Sequence, residues 1–486
     1  MSCKNCGGQG PGYSSPSEAC KGPHEKILFV ACPSTKPNEK PDGLVIIDVD
    51  PESPNYCKPI STLLFPNHGD EVHHMGWNAC SSCFGCRNIQ RTHLVFPCLH
   101  SSRIYVVNVL DVKNPKVDKI VERKEMDWYD VSFPHTAHCL NTGEIMISCL
   151  GDSKGNNKCD FILLDSKTFQ VVGTWLDRDT KPESELPKMN YDFWYQPGQN
   201  LMISTEWGTP NKVKKGFDPV HLKRGYYGNR IHIYDWRLRE HKQTIQFIEG
   251  EGWLPFEVRF KHNPKDPNAF FGTALGGGLY HVYKESENST QMAARLAISI
   301  PNKKVSNWAL SEMPASIADL VISMDDNFLF FSCYLHGDVR MYDIRDPFNI
   351  KLVGQCFIGG SIHNESGIEV EKDAELTEQP DACYVKGRKV EGGPNMIQNS
   401  LDGKRLYVTT SLYRPWDNYF YPKLMKTGSV MVMLDVDNDL SHDSTDRLTL
   451  NPDFLVDFSD IFGNGVPYLA HEMRYPGGDC TSDIWP

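Results

Sequence analysis

The chain has 486 residues, of which 40% are hydrophobic and 11% aromatic, and its formal net charge is −12. These contents are typical of a globular protein with a large core. The negative charge and the lack of a basic run argue against a nucleic-acid-binding protein. No apolar stretch approaches the roughly 20 residues of a membrane-spanning helix, and the start, MSCKNCGGQG, lacks the apolar segment of a secretory signal.

One short apolar run, typical of a buried strand, recurs along the chain, and several copies follow a turn. A second strand that ends in Asp then follows in many cases, for example at 161–165, 231–235 and 339–343. The copies of the first run lie at 27–31, 94–98, 144–148, 201–205, 270–274, 328–332 and 406–410. Seven copies of a four-stranded unit predict an all-β fold, a β-propeller of about seven four-stranded blades.

The repeats are longer than the roughly 40–45 residues of a compact blade, and polar insertions at 181–188, 210–223 and 363–380 account for the excess. We expect residues 1–22 to form an N-terminal arm and residues 23–486 a single propeller domain, with the C-terminal tail closing the ring. The alternative is a run of unrelated sandwich strands. The recurring order of turn, strand and Asp favours the propeller.

The segments just before the recurrent run are predicted to be the innermost strands of the blades, at 76–82, 135–140, 191–196, 256–262, 317–323 and 395–400. Histidines lie at or beside several of these segments. Because loops at one end of a propeller converge on its central channel, histidines from separate blades would meet there. The set is His73, His74, His135, His138, His336 and His471. Three or four imidazoles suit copper, zinc or iron, and nearby carboxylates would orient the rings; these are Asp70, Glu71, Asp338 and Glu472. The alternative is a set of ordinary surface or core histidines.

Three cysteines follow the first histidine pair at two-residue gaps, at Cys80, Cys83 and Cys86. The spacing does not match an iron–sulfur run, which needs a fourth Cys three residues later, or a zinc site, which needs a second pair. We interpret Cys80 and Cys83 as pocket thiols. Cys57 follows a Pro-rich turn, where a thiol could be exposed and reactive.

Several longer motifs resemble the selenium-binding protein (methanethiol oxidase) family, and the similarity runs from Cys6 to Trp485. Four of them are HHMGWNACSSCFG, HTAHCLNTGEIMIS, NSLDGKRLYVTTSLY and AHEMRYPGGDCTSDIW. The resemblance implies a copper-dependent oxidase that converts methanethiol, O2 and water to formaldehyde, hydrogen sulfide and hydrogen peroxide. It also implies that Cys57 carries selenium covalently. Within the family resemblance, the metal role falls on the six histidines named above.

The chemistry of such a reaction agrees with this resemblance. Oxidation of a methyl group by O2 needs a metal that changes valence, which zinc cannot do, and imidazole-rich sites favour copper. Cys80 or Cys83 is then a candidate catalytic residue that relays redox equivalents or holds a sulfur intermediate.

The alternative function is a non-enzymatic selenium-binding scaffold or carrier, involved in intracellular protein transport, because propellers are often binding platforms. For the enzyme, the expected partners are a small thiol and O2, without nucleic acid. We expect a cytosolic protein with mostly reduced cysteines, with the nucleus or a peripheral membrane association as alternatives.

Overall fold

The computed structural model describes residues 10–86, 88–286, 289 and 291–486. Among these residues the strands form seven four-stranded antiparallel sheets, one three-stranded sheet and one two-stranded sheet. The predicted all-β propeller of about seven four-stranded blades is confirmed. No helix of the described residues is both long enough and apolar enough to cross a membrane.

Each blade runs from an innermost strand at the channel to an outermost strand at the surface, and its strands follow in that order. Blade 1 is Met473–Arg474, Ile27–Cys32, Gly43–Asp48 and Pro59–Leu64; blade 2 is Gly76–Trp77, His93–Pro97, Ile104–Asn108 and Lys116–Val121; blade 3 is Ser132–Cys139, Glu144–Gly151, Asn157–Asp165 and Val171–Thr174; blade 4 is Phe193–Gln196, Leu201–Ser204, Arg230–Asp235 and Glu240–Gln246; blade 5 is Pro255–Phe260, Ala269–Thr273, Gly278–Tyr283 and Ala293–Ser299; blade 6 is Ile317–Ile322, Phe328–Cys333, Asp338–Asp343 and Lys351–Phe357; blade 7 is Ile397–Asn399, Arg405–Thr409, Val430–Val436 and Leu448–Asp457.

Blade 1 combines strands from both ends of the chain. Phe29 pairs with Arg474 and Val30 with Met473 in antiparallel register. The tail beyond this strand is held by Asp483, which accepts hydrogen bonds from Ser81 and Arg91 of blade 2. The C-terminal segment therefore links the first two blades.

The insertions between strands form short accessory elements. The α-helices are Pro16–Ala19, Arg123–Asp127, Pro210–Val213, Pro219–Lys223, Arg414–Phe420 and Leu424–Thr427, and the 3-10 turns are Ser81–Cys83, Glu183–Glu185 and Pro197–Gln199. The three-stranded sheet is Lys303–Ser306, Glu312–Met313 and Glu369–Lys372, and the two-stranded sheet is Tyr384–Val385 and Arg388–Lys389. All three predicted insertions, 181–188, 210–223 and 363–380, contribute to these elements.

The inner strands are buried along their whole length, whereas the outermost strands consist mainly of exposed and half-buried positions. Apolar side chains fill the spaces between blades. Residues that precede the inner strands, or lie in the first half of a long one, meet at one end of the channel, which we call the histidine end after His73, His135 and His471. Residues at or beyond the last position of the inner strands meet at the other end, which we call the thiol end after Cys80 and Cys139.

Candidate functional site

Three imidazoles from opposite ends of the chain meet at the histidine end. The ligand nitrogens of His73, His74 and His471 all lie within 4.8 Å of one another, and all three residues are buried. The ring of His135 joins them, with its centroid 4.1 Å from His74 and 5.0 Å from His73. The structure therefore brings four of the six predicted histidines together.

The loop before blade 2 holds its two histidines in place through a strained turn. Glu71 has φ of +58°, a left-handed conformation that costs roughly 1–2 kcal/mol for a residue other than Gly. Its buried carboxylate accepts from the Arg414 side chain at 2.7 Å and the Arg414 backbone at 3.1 Å. Gly76 then allows blade 2 to approach blade 3, because a Cβ there would lie 2.3 Å from the Ala137 carbonyl oxygen.

Neighbouring groups occupy Nδ1 of two of these rings. Nδ1 of His74 lies 3.0 Å from Oε1 of Glu472, and Nδ1 of His471 donates to the Ser411 carbonyl at 2.8 Å. The Nε2 atoms of both rings are buried without a hydrogen-bond partner. This arrangement leaves each Nε2 lone pair available for a ligand, as in metal-binding histidines.

A hydrogen-bond chain fixes the tautomer of His135 in the same way. Thr136 donates its single hydroxyl proton to Asp192 at 2.8 Å. Nδ1 of His135, 3.0 Å from that hydroxyl oxygen, must therefore be the donor. Its Nε2 has no hydrogen-bond partner and carries a lone pair.

The four rings are neutral at neutral pH. Burial lowers the pKa of His73, His74 and His135 well below the ordinary value, and neighbouring imidazoles lower each pKa further. Burial also lowers the pKa of His471 to about 4, although the Ser411 carbonyl and Glu472 favour its protonated form. Neutral imidazole is the form that binds metals.

Aromatic side chains enclose the site on one side. Tyr191 packs 4.2 Å from the ring of His135, and Tyr413 meets His73 edge-on at 6.0 Å. Trp207 bridges them, 5.4 Å from Tyr191 and 5.0 Å from Tyr413. These rings form an apolar wall along one side of the histidine group.

A buried charge network that the sequence analysis missed lies beside the site. Arg259 binds Asp192 at 2.7 Å and Glu257 at 2.9 Å. The other oxygen of Glu257, Oε1, has no hydrogen-bond partner and lies 3.7 Å from Nε2 of His74. Burial, and then Asp192, raises the pKa of Glu257 well above its ordinary value. Charged residues within the predicted inner strand 256–262 were the available signal, because Glu and Arg are rarely buried without a partner.

Two predicted ligands lie outside this group. The ring of His138 packs edge-on against Trp194, with centroids 4.8 Å apart. Nε2 of His336 lies 3.1 Å from the Met313 carbonyl oxygen. No ring contact joins either residue to the four histidines in the described part of the chain. Of the carboxylates expected to orient the rings, Glu472 contacts one. Asp70, Glu71 and Asp338 instead pair with arginines.

The predicted pocket thiols lie at the thiol end. Cys80 and Cys83 flank Ser82, whose hydroxyl oxygen is 3.2 Å from Cys80 and 3.9 Å from both Cys83 and Cys139. Cys139 is the last residue of the inner strand that carries His135. The two residues are four positions apart, which corresponds to about 13 Å along the strand at roughly 3.3 Å per residue. No hydrogen bond among the described residues links these thiols to the histidine group, so their catalytic role stays a prediction.

Cys57 lies elsewhere, on the outer side of blade 1. It has φ of +65°, is partly exposed, and its sulfur is 3.9 Å from the Asp453 carbonyl oxygen. Burial raises the pKa of its thiol. The covalent selenium role of Cys57 stays a prediction.

Known proteins are similar to this chain in sequence and fold over nearly their whole length. A sequence model of the family described as "56kDa selenium binding protein (SBP56)" matches residues 7–486. Methanethiol oxidases of Homo sapiens and Xenopus tropicalis are each 50% identical, and selenium-binding protein 2 of Mus musculus 49% identical, over 99% of both chains. The X-ray structure of a hypothetical selenium-binding protein from Sulfolobus tokodaii superimposes with a TM-score of 0.84 at 31% identity, covering 98% of each chain.

Proposed function

Because this chain belongs to the 56 kDa selenium-binding protein family, we propose that it is a methanethiol oxidase, which converts methanethiol, O2 and water to formaldehyde, hydrogen sulfide and hydrogen peroxide. The observation that carries the proposal is the group of three buried histidines with ligand nitrogens within 4.8 Å of one another. The name methanethiol oxidase, carried by relatives 50% identical over 99% of both chains, supports it.

The residues at the histidine end fit copper. The donor set is all imidazole, and the Nε2 atoms of His74, His135 and His471 are buried without a partner, which is costly unless a ligand occupies them. We assign His73, His74 and His471 as the ligands, with His135 adjacent as a fourth. When bound, copper would supply the change of valence that oxidation by O2 needs.

The chain's own residues orient the ligands and enclose the substrate. Glu472 and Ser411 hold the rings of His74 and His471, and the wall of Tyr191, Trp207 and Tyr413 would contact the methyl group. The unpartnered Oε1 of Glu257 lies 3.7 Å from Nε2 of His74. We assign Glu257 to donate the proton that the sulfur takes up as hydrogen sulfide leaves.

The reduced state of the buried cysteines supports a cytosolic location. Within the described residues, every buried cysteine is a thiol outside any disulfide, as expected in a reducing compartment.

The test is release of products by purified, copper-loaded protein given methanethiol and O2. We expect sulfide and hydrogen peroxide in equal amounts, and their loss in His471→Ala. His336→Ala removes a buried histidine outside the group and serves as the matched control. If the copper-loaded wild-type protein releases neither product, the proposal is wrong.

A further inference from the structure

A second group of reactive side chains occupies the thiol end of the channel. Cys80 precedes the 3-10 turn Ser81–Cys83 of blade 2, and Cys139 is the last residue of the inner strand of blade 3. The third cysteine of the group is Cys83. All three side chains are at most 2% exposed, and the Ser82 hydroxyl contacts each of their sulfurs. The mechanism proposed above does not use this group.

The thiols of Cys80 and Cys139 are hydrogen bonded to each other across the two blades, and they differ in acidity. Burial raises the pKa of both. For Cys80, however, the hydrogen bonds from Cys139 and Ser82 outweigh burial and hold its pKa below the ordinary value. The pKa of Cys139 is raised well above it. Cys80 is thus the more acidic thiol of the pair and Cys139 the less acidic one, the arrangement of a nucleophile and its resolving partner.

Cys83 is not equivalent to Cys139, although it lies nearer to Cys80 in sequence. Its sulfur donates to the Leu140 carbonyl oxygen at 3.6 Å. Burial, followed by the charge of Cys80, raises its pKa to about 12. The thiol hydrogen of Cys83 therefore points to a backbone carbonyl outside the Cys80–Cys139 pair.

A cavity of about 940 Å³ lies next to this group, and Ser81 and Ser82 form the part of its wall nearest to the three thiols. Residues of the N-terminal arm and the last two residues of the chain form other parts of the cavity wall. Tyr13 connects these segments to blade 2, because its backbone N–H donates to the Ser81 hydroxyl at 3.0 Å and its carbonyl accepts from the Trp485 ring at 2.9 Å. Ser82 therefore connects the cavity wall to the thiol group, because its hydroxyl oxygen lies 3.2 Å from the Cys80 sulfur.

We propose that Cys80 and Cys139 form a dithiol that reduces hydrogen peroxide and closes a disulfide between blades 2 and 3. The Cys80 thiolate attacks one peroxide oxygen, the O–O bond breaks, and the second oxygen leaves as hydroxide, which takes up a proton to become water. Cys139 then attacks the resulting sulfenic acid, and its hydroxyl leaves as a second water. Two thiols are oxidised for each peroxide reduced. The source of peroxide rests on the proposed function, whereas the dithiol chemistry does not.

The test adds hydrogen peroxide directly to the reduced full-length protein, without methanethiol, and maps its peptides under non-reducing conditions. We expect a Cys80–Cys139 linkage and the loss of two titratable thiols per chain. In Cys139→Ser, dimedone should trap sulfenic acid on Cys80. Cys83→Ser, the matched control in the same group, should form the linkage as the wild type does.

A Cys80–Cys83 linkage, or a Cys80 that stays reduced, would overturn the proposal. The wild-type map alone decides between these outcomes, so the answer does not depend on the folding of a variant. Because the peroxide is a reagent, a protein that forms the linkage but releases no sulfide from methanethiol would contradict the proposed function alone.

Discussion

Nδ1 of His74 lies 3.0 Å from Oε1 of Glu472, although the two residues belong to loops near opposite ends of the chain. Closure of blade 1 by the C-terminal strand creates this contact, because Glu472 directly precedes Met473–Arg474. The same closure brings a ring nitrogen of His471 to within 4.8 Å of ring nitrogens of His73 and His74. Ring closure and assembly of the candidate metal site are thus one structural event.

Replacing Glu472 by Gln should weaken copper binding by about 10–100-fold, the usual effect of losing a carboxylate that orients a metal-binding histidine. Copper affinity measured by competition with a chelator checks this. Glu206→Gln is the matched control, because Glu206 lies 3.0 Å from a buried histidine, His232, in blade 4. Equal losses in the two variants would contradict a specific role for Glu472.

Replacing Glu257 by Gln should leave copper bound but lower kcat by about 10²–10⁴-fold, the range for loss of a general acid. The amide cannot supply the proton that hydrogen sulfide needs. Copper content and steady-state kinetics with methanethiol separate the two effects. An unchanged kcat at full copper loading would exclude Glu257 as the proton donor.

Copper should stay bound from pH 7 down to about pH 5. Burial holds the pKa of His471 at about 4 and those of His73 and His74 lower than the ordinary value. These rings stay neutral, and available as ligands, until the pH falls toward 4. The measurement is the copper content of the protein after dialysis at a series of pH values across this range. Loss of half the copper near pH 6.5, where an unperturbed imidazole titrates, would show that the rings are not buried in this way.

Replacing Cys57 by Ser should leave methanethiol oxidation unchanged, because its sulfur contacts the Asp453 carbonyl in blade 7 rather than the histidine group. Selenium content after incubation with selenite, measured on the same samples, reports the separate carrier role. A variant that loses sulfide release while it keeps its copper would instead connect Cys57 to the reaction.

The repeat of turn, strand and Asp was sufficient to predict the propeller, its blade number and the positions of the inner strands. It was also sufficient to predict that histidines of separate blades meet. It could not separate His135, which contacts the group, from His336, which contacts the Met313 carbonyl, because each lies in or beside a strand of its own blade. The pairing of Cys80 with Cys139 was also missed, because it depends on the packing of one blade against the next, whereas the sequence shows only the nearer Cys83.

The central claim is that His73, His74 and His471 hold copper. Metal analysis of protein purified without chelators tests it most directly, with His471→Ala and His336→Ala prepared in parallel. We predict about one copper per chain in the wild type and in His336→Ala, and little copper in His471→Ala. Equal copper in all three proteins, or copper lost only from His336→Ala, would contradict the assignment.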